Sequence, residues 1–512
     1  MSTNLNRRDF LKLASLGSLG MAVPQFFYRA ADTKSESNLP NVLVVVFDAF
    51  SAYHISLFGY QRETTPNLSR LAKKAVVYHN HYANGNFTTT GTASLLTGTL
   101  PWTHRALNHN DTVADPFITQ NIFSAINNYH RLAYSHNLLV NTQLKQFLGD
   151  IDTYTPQGQL FLEDDVFLHS VFKNDEDIAS VAWNRIIKQE DDGVSYSLML
   201  PSAYRGLKKG RTDQIKKEFP RGLPNVNEDN YFILEDGIDW LYDSLQKAPK
   251  PSFTYFHFLP PHFPYKTRAE FFDRFANDGF KAVQKPEHIF ALNRVKEGDL
   301  DTWRTWYDEF ILYVDAEFAR LYDFMQRSNQ LENTWIVLTS DHGELFERGI
   351  SGHLTPVLYE PVVRIPLMIF EPGRNTRLDV TSPTSAIDLL PTMIHLTRGT
   401  IPSWAEGKIL PPYDKSNNGV VRDVFALQSK GTKKNEPFLR ATAMIVRDNY
   451  KLCRFWGYEQ LNDEIIELYD LENDPQELVN INSLEKEISN ELMGALQSKL
   501  DEVERKRKES IT

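Results

Sequence analysis

Hydrophobic and polar positions fall into two periods along the chain, one suited to buried strands and one to amphipathic helices. Asn41–Phe47, NVLVVVF, is a continuous, largely β-branched run bounded by Pro40 and Asp48. Such a run predicts a central parallel strand buried on both faces. Ser252–Leu259 and Thr334–Thr339 have the same character and also end in polar clusters. Between them, Leu234, Ile238, Leu241 and Leu245 share one helical face, as do Trp306, Phe310, Val314, Phe318, Leu321 and Met325. Strands alternating with amphipathic helices predict a doubly wound, mostly parallel α/β sheet with its site outside the carboxyl ends of the strands. Those ends deliver Asp48, the loop from His257 to His262, and the pair Asp341–His342.

A third stretch, FTTTGTASLLTG (87–98), packs four threonines and a glycine ahead of an apolar turn that closes on Gly98. The pattern predicts a helix with a hydroxyl near Thr88 at its N-terminus, where free backbone N–H groups and the helix dipole favour an anion. The same residues would also serve as an ordinary cap or turn. From about residue 150 to 230 the periodicity breaks, which predicts loops and surface helices inserted into the sheet. Beyond about Pro412 the chain turns polar. Strand-like pieces at Ala443–Arg447 and Lys451–Trp456 follow, then a helix from near Ser483 with Leu484, Ile488, Leu492 and Leu496 on one stripe. The expected organisation is a catalytic domain over 40–411, carrying the 150–230 insertion, and a small α+β domain over 412–512.

The bulk numbers narrow the function. The 512 residues are 41 % apolar and 24 % charged, ordinary for a soluble globular protein of more than one core. Lys+Arg number 55 against 66 Asp+Glu, a formal net charge of −11, so nucleic acid is not the expected partner. Cys453 is the only cysteine, which excludes an intrachain disulfide and any multi-cysteine metal site. NRRDFLK (6–12) resembles the twin-arginine translocation motif, and a short apolar run, Leu13 to Val23, follows it. A signal peptide over 1–31, cut near Ala30 and Ala31, would place a bacterial protein in the periplasm or outside the cell, exported folded by the twin-arginine machinery. No later run approaches the ~18 apolar residues of a membrane span.

Asp48 at a strand end is either a helix cap or a metal ligand, and SDHGE (340–344) sets an acid beside an imidazole at another strand end. HFLPPHFPY (257–265) and ISGH, ending at His353, add histidines to the same sheet edge. NVLVVVFDAF…GYQRETTPNLSRLAKKAVVYHNHYA, ASLLTGTLPWTH, HFLPPHFPY, TWIVLTSDHGE, RIPLMIF, SAIDLLPTM and NYKL…ELYDLENDPQELVNI, in this order, resemble the sulfatase branch of the alkaline phosphatase superfamily. The resemblance covers residues 41–104, 252–400 and 449–480. It implies an alkaline-phosphatase-like fold and a divalent metal site, with Asp48, Asp341, His342 and Thr88 as ligands. Thr88 falls where the family places its nucleophile. His262 matches the histidine of the family's PH motif, and His353 lies where sulfatases carry a group near the leaving oxygen. His136, His257 and Thr92 are candidates for substrate contact.

The departures carry as much information. Formylglycine-dependent sulfatases need Cys or Ser in a C/S-x-P-x-R pattern, and here the stretch is T-T-T-G-T (88–92), with Thr92 in place of the arginine. The family lysine two residues before His136 is Tyr134, and the second acid of its Asp-Asp pair is Ala49. A threonine ester cannot shed sulfate as an aldehyde hydrate does, so release needs water to attack the central atom. Thr88 resembles the nucleophile of the phosphodiesterase and phosphoethanolamine-transferase branches. Two carboxylates, an imidazole and an alkoxide suit one Zn²⁺ or Mn²⁺ better than Ca²⁺, which prefers more oxygens. A second ion at His262 and His353 lacks an obvious carboxylate. The leading expectation is a secreted hydrolase of phosphate or sulfate esters acting on a small-molecule, lipid or glycan substrate. A phosphoethanolamine-type transferase and a catalytically silent binding protein of the same fold are the alternatives.

Overall fold

The computed structural model describes residues 39–164, 168, 196–291, 295–414 and 422–511. The expected signal segment and much of the 150–230 insertion lie outside the described residues. The chain divides into two compact units. One comprises 1–38 and 165–204, of which Leu168 and the start of helix Tyr196–Ile215 are described. The other comprises 39–164 and 205–512 and holds all the features below.

The larger unit is built on an eight-stranded sheet. In chain order its strands are β1 (Asn41–Phe47), β2 (Val76–Tyr78), β3 (His130–Ser135), β4 (Thr153–Tyr154), β5 (Ser252–Phe258), β6 (Thr334–Thr339), β7 (Leu367–Phe370) and β8 (Leu378–Val380). Their order across the sheet is β8-β2-β7-β6-β1-β5-β3-β4. β1 pairs in parallel with β5, Val46 opposite His257, and with β6, Val46 opposite Thr339. β3 pairs in parallel with β5, Ser135 opposite His257. β7 is antiparallel to both its neighbours, so the sheet is mixed but mostly parallel.

The unbroken apolar run of β1 follows from helices covering both faces. Leu43, Val45 and Phe47 join a core with α3 (Leu234–Lys247) and α4 (Glu297–Arg327), through Ile238, Leu241, Phe310, Val314 and Phe318. Val42, Val44 and Val46 face the other way, onto α1 (Thr88–Thr97), α2 (Leu138–Gln146) and α5 (Leu389–Leu396). Successive side chains on opposite faces, each buried, are the doubly wound arrangement. Each such side chain contributes about 1.5–3 kcal/mol relative to exposure.

A second sheet is antiparallel, with strands β9 (Asp423–Gln428), β10 (Ala441–Arg447), β11 (Tyr450–Trp456) and β12 (Ile465–Asp470) in that order. The terminal helix α6 (Lys486–Ile511) packs Leu492 and Leu496 against it. Among the described residues, no helix is long and apolar enough to cross a membrane.

One close approach sets the height of α1 above the sheet. A Cβ at Gly91 would lie 2.1 Å from the Asp341 carbonyl oxygen. Helix propensity alone favours alanine over glycine there by about 1 kcal/mol, but the overlap forces the helix away from β6. Gly91→Ala is therefore expected to lower the melting temperature and to separate Thr88 from Asp341. A melt at or above the wild-type temperature, with unchanged activity, would contradict this packing.

Candidate metal centre and active site

Four adjacent strands end in the same crevice. β1 continues into Asp48, β6 into Ser340, Asp341 and His342, β5 carries His257 near its end, and β3 runs out through His136 to Asn137. The turn after Asp48 places Ala49 in the left-handed region, φ 58°. It is held there from two sides. Tyr307 Oη of α4 donates to Ala49 O (2.5 Å), and Ala49 N donates to Asp341 Oδ1 (3.3 Å). Ser340 Oγ accepts from Phe50 N (2.9 Å) and donates to Phe47 O (2.7 Å), tying the two strand ends together.

Asp48, His257, Asp341 and His342 are all fully or almost fully buried. One ligand atom from each of Asp48, His257 and Asp341 lies within 4.8 Å of the others. His257 Nε2 is 3.3 Å from Asp48 Oδ2 and 3.7 Å from Asp341 Oδ2. His342 Nε2 is 3.4 Å from Asp48 Oδ1 and 3.6 Å from Asp341 Oδ2. Its Nδ1 donates to Gly343 O (2.9 Å), which turns Nε2 into the crevice. Asp48 Oδ1 and Asp341 Oδ2 have no hydrogen-bond partner among the described residues. Two buried carboxylates with orphaned oxygens, ringed by imidazoles, fit a divalent cation.

The electrostatics agree. Burial opposes the charge on Asp48, yet His262, His257 and His342 outweigh it and hold the carboxyl well below the usual range. Burial likewise opposes a proton on His342, but Asp341 and Asp48 prevail and push it up to about 9. The cluster therefore demands positive charge, from a proton or from a metal.

Thr88 is the first residue of α1, and Phe87 before it makes no side-chain cap. Its Oγ1 is 3.2 Å from His342 Nε2 and 3.5 Å from Asn137 Nδ2. Asn137 caps α2, its Oδ1 accepting from Leu139 N (2.7 Å), so its amide nitrogen faces the crevice and donates to Asp48 Oδ2 (2.5 Å). Asn137 was not singled out by the sequence pattern, although its place before the helical stretch LLVNTQL marks a cap.

Beside this cluster His353 Nδ1 is 3.0 Å from Glu344 Oε1, and both are buried. Burial lowers the pKa of His353, with Glu344 working against it, while His353 and His262 keep Glu344 below its usual range against the effect of burial. The His353 ring lies tilted against those of His342, 4.3 Å away, and His262, 4.9 Å away. His262 sits half-exposed at the rim, its Nδ1 donating to Phe263 O (2.6 Å). The structure places Thr92 one turn along α1 from Thr88, buried beside Tyr255. His136 packs its ring against Phe232 (4.3 Å), Tyr134 (5.2 Å) and Phe258 (5.6 Å), and burial pushes it down to about 3.

A doubly wound sheet whose acid-tipped strands gather beneath a helix N-terminus defines an alkaline-phosphatase-like hydrolase. The chain belongs to the sulfatase family. The Sulfatase family model matches residues 40–400, and that of the N-sulphoglucosamine sulphohydrolase C-terminal region matches 355–506. It is a sulfatase-family hydrolase acting on ester bonds. The chain is similar to an arylsulfatase of Clostridium perfringens, at 23 % identity over 86 % of this chain and 90 % of that protein. It is similar to the multifunctional alkaline phosphatase superfamily protein PehA of Trinickia caryophylli, at 23 % identity over 86 % and 91 % of the two chains. Among solved structures, the phosphonate monoester hydrolase of Agrobacterium radiobacter aligns with TM-score 0.66 at 18 % identity, covering 91 % of this chain and 96 % of that one.

A cation held by these residues would couple its binding to stability. After dialysis against a chelator, adding Zn²⁺ or Mn²⁺ is expected to raise the melting temperature, equivalent to about 2.7 kcal/mol at a hundredfold excess over Kd. Asp341→Asn is expected to flatten that rise. An unchanged melting curve on chelation and reloading would argue against a cation at these residues.

Proposed function

We propose that the chain is a metal-dependent hydrolase that uses the unmodified Thr88 hydroxyl as nucleophile on a singly charged phosphate or sulfate ester. The observation that carries this reading is the position of Thr88 Oγ1 at a helix N-terminus, 3.2 Å from His342 Nε2 and within reach of Asn137. Asp48, Asp341, His257 and His342 are the residues that would hold the cation. When bound, it lowers the pKa of the nucleophilic hydroxyl and polarises a non-bridging oxygen of the substrate.

The remaining steps belong to the protein. Asn137 Nδ2 holds the Thr88 oxygen toward the crevice. Free amides of the first turn of α1 stabilise the charge that develops as the new Thr88 ester bond forms and the leaving oxygen departs. His353, braced by Glu344, or His262 at the rim supplies the proton to that oxygen. Water then attacks the central atom in line and passes one proton to the same imidazole, and the Thr88 oxygen departs to regain the proton that it gave up to solvent before its own attack.

Charge favours a substrate with one negative charge. Two carboxylates and a divalent cation sum to zero, and the family arginine is replaced by Thr92. A phosphodiester, phosphonate monoester or sulfate monoester suits such a site better than a dianionic phosphate monoester. With no Cys or Ser to become formylglycine at position 88, phosphorus chemistry is preferred over sulfur. The range of relatives, from arylsulfatase to phosphonate monoester hydrolase, is compatible with either centre.

The test is a screen of the metal-loaded protein on aryl phosphodiester, phosphonate and sulfate substrates. Thr88→Ala is expected to abolish covalent turnover on the best of them, and Asn137→Ala to slow it by about 10²–10³, the usual cost of one such donor. Full activity in Thr88→Ala would overturn the nucleophile assignment. The NRRDFLK motif supports delivery as a folded protein by twin-arginine export. Replacing both Arg7 and Arg8 by Lys is expected to leave the protein in the cytoplasmic fraction of a bacterial host, and unchanged export would refute this route.

A further inference from the structure

We propose that Tyr255 is the positioning residue that sets the tautomer of His257, presenting its Nε2 lone pair to the cation and biasing the site toward Zn²⁺ over Ca²⁺. The inference rests on the reading of Asp48, His257 and Asp341 as a cation site and is independent of the nucleophile. Tyr255 and His257 are two residues apart on β5, so both point to the face covered by α1. Both are fully buried, and Tyr255 Oη lies 3.0 Å from His257 Nδ1.

That hydrogen bond can be made in two ways. If the phenol donates to Nδ1, then Nε2 carries the proton and must donate to a carboxylate. Its nearest acceptor, Asp48 Oδ2, is 3.3 Å away and already takes the Asn137 amide at 2.5 Å. A charge-assisted bond of that kind normally closes to about 2.7–2.9 Å. Asp48 Oδ1 and Asp341 Oδ2 would also stay orphaned. If instead Nδ1–H donates to the phenol oxygen, Nε2 is a bare lone pair that joins those two oxygens around one positive centre. The phenol proton then needs an acceptor, and the neighbouring Thr92 Oγ1, a buried oxygen without a hydrogen-bond partner among the described residues, can take it. The second arrangement keeps the Tyr255–His257 hydrogen bond, offers Thr92 Oγ1 to the phenol proton, and turns Nε2 toward the two orphaned carboxylate oxygens.

The chemical consequence is a second nitrogen donor at the site, in addition to His342 Nε2. Zn²⁺, a borderline cation, accepts imidazole readily, whereas Ca²⁺ collects six to eight oxygens. Outer partners of ligating histidines set metal affinity, and their loss typically costs 10–100-fold.

Tyr255→Phe removes one oxygen from a buried ring and leaves the packing volume. Competition between the chelator-stripped protein and a chromophoric chelator is expected to show Zn²⁺ binding weakened about 10–100-fold by the substitution. Thr92→Val is expected to weaken it in the same direction by less. His257→Gln, which exchanges nitrogen for an amide oxygen, is expected to lose more Zn²⁺ affinity than Ca²⁺ affinity. In the wild-type protein, histidine ring ¹⁵N shifts of the Zn²⁺-loaded form are expected to show His257 protonated at Nδ1, a measurement that does not depend on any variant folding. Equal Zn²⁺ affinity in wild type and Tyr255→Phe, or His257 protonated at Nε2, overturns the role of Tyr255 while leaving the cation site standing. A wild-type protein that binds no divalent cation overturns both together.

Discussion

Two carboxylates, Asp48 and Asp341, follow neighbouring parallel strands at buried positions, and the rest of the site answers their charge. At about 4 Å and an effective dielectric near 20, like charges repel by about 4 kcal/mol. The fold nevertheless fixes them together. The β1–β6 register brings the strand ends level, Ser340 stitches one backbone to the other, and Tyr307 holds Ala49 in its left-handed turn. The response appears on His342, whose proton affinity rises against the cost of burial because the acids outweigh it. A cation held between the two acids would answer the same charge in place of that proton. Affinity for metal and the proton balance of the site are therefore two descriptions of one electrostatic constraint.

Much of this was legible in the sequence because strand ends announce themselves. A buried run such as NVLVVVF has one polar exit, so Asp48 could be placed at the sheet edge without knowing its neighbours, and TWIVLTSDHGE placed Asp341 and His342 the same way. Thr88 followed from the helix start. The residues that were missed contact the site through partners distant in sequence. Asn137 reads as a cap and nothing more until β3 is laid beside β5. Glu344 reads as the tail of SDHGE until His353 returns to it nine residues later. His257 was read as a substrate contact, whereas the parallel pairing of β5 with β1 brings its Nε2 against Asp48. The position next to Asn137 shows why alternation matters. His136 and Asn137 are adjacent, yet the first ring lies among Phe232, Tyr134 and Phe258 while the second side chain reaches Asp48.

The second sheet belongs to the same argument, because the segment after His342 is held by residues that it supports. Gly343 N donates to Val362 O (2.6 Å) and Glu344 N to Pro361 O (3.0 Å), and a Cβ at Gly343 would lie 2.1 Å from Pro361 O. Glu360, the first residue of a short helix over Glu360–Val363, receives Lys451 Nζ of β11 (3.0 Å), and Lys451 also meets Glu477 (2.9 Å). Glu477 Oε2 in turn accepts from Glu360 N (2.9 Å). The acids outweigh burial and push the Lys451 ammonium up, so it stays charged in a fully buried position. Breaking such a pair by removing one partner costs about 3–5 kcal/mol, mostly the penalty of the charge left behind. A lesion at Lys451, far from Thr88 in sequence, would thus reach Glu344 and His353 through one peptide-to-peptide clamp. The small sheet braces the loop that carries Asp341 and His342, and at Lys451, Glu360 and Glu477 that brace is made of charge.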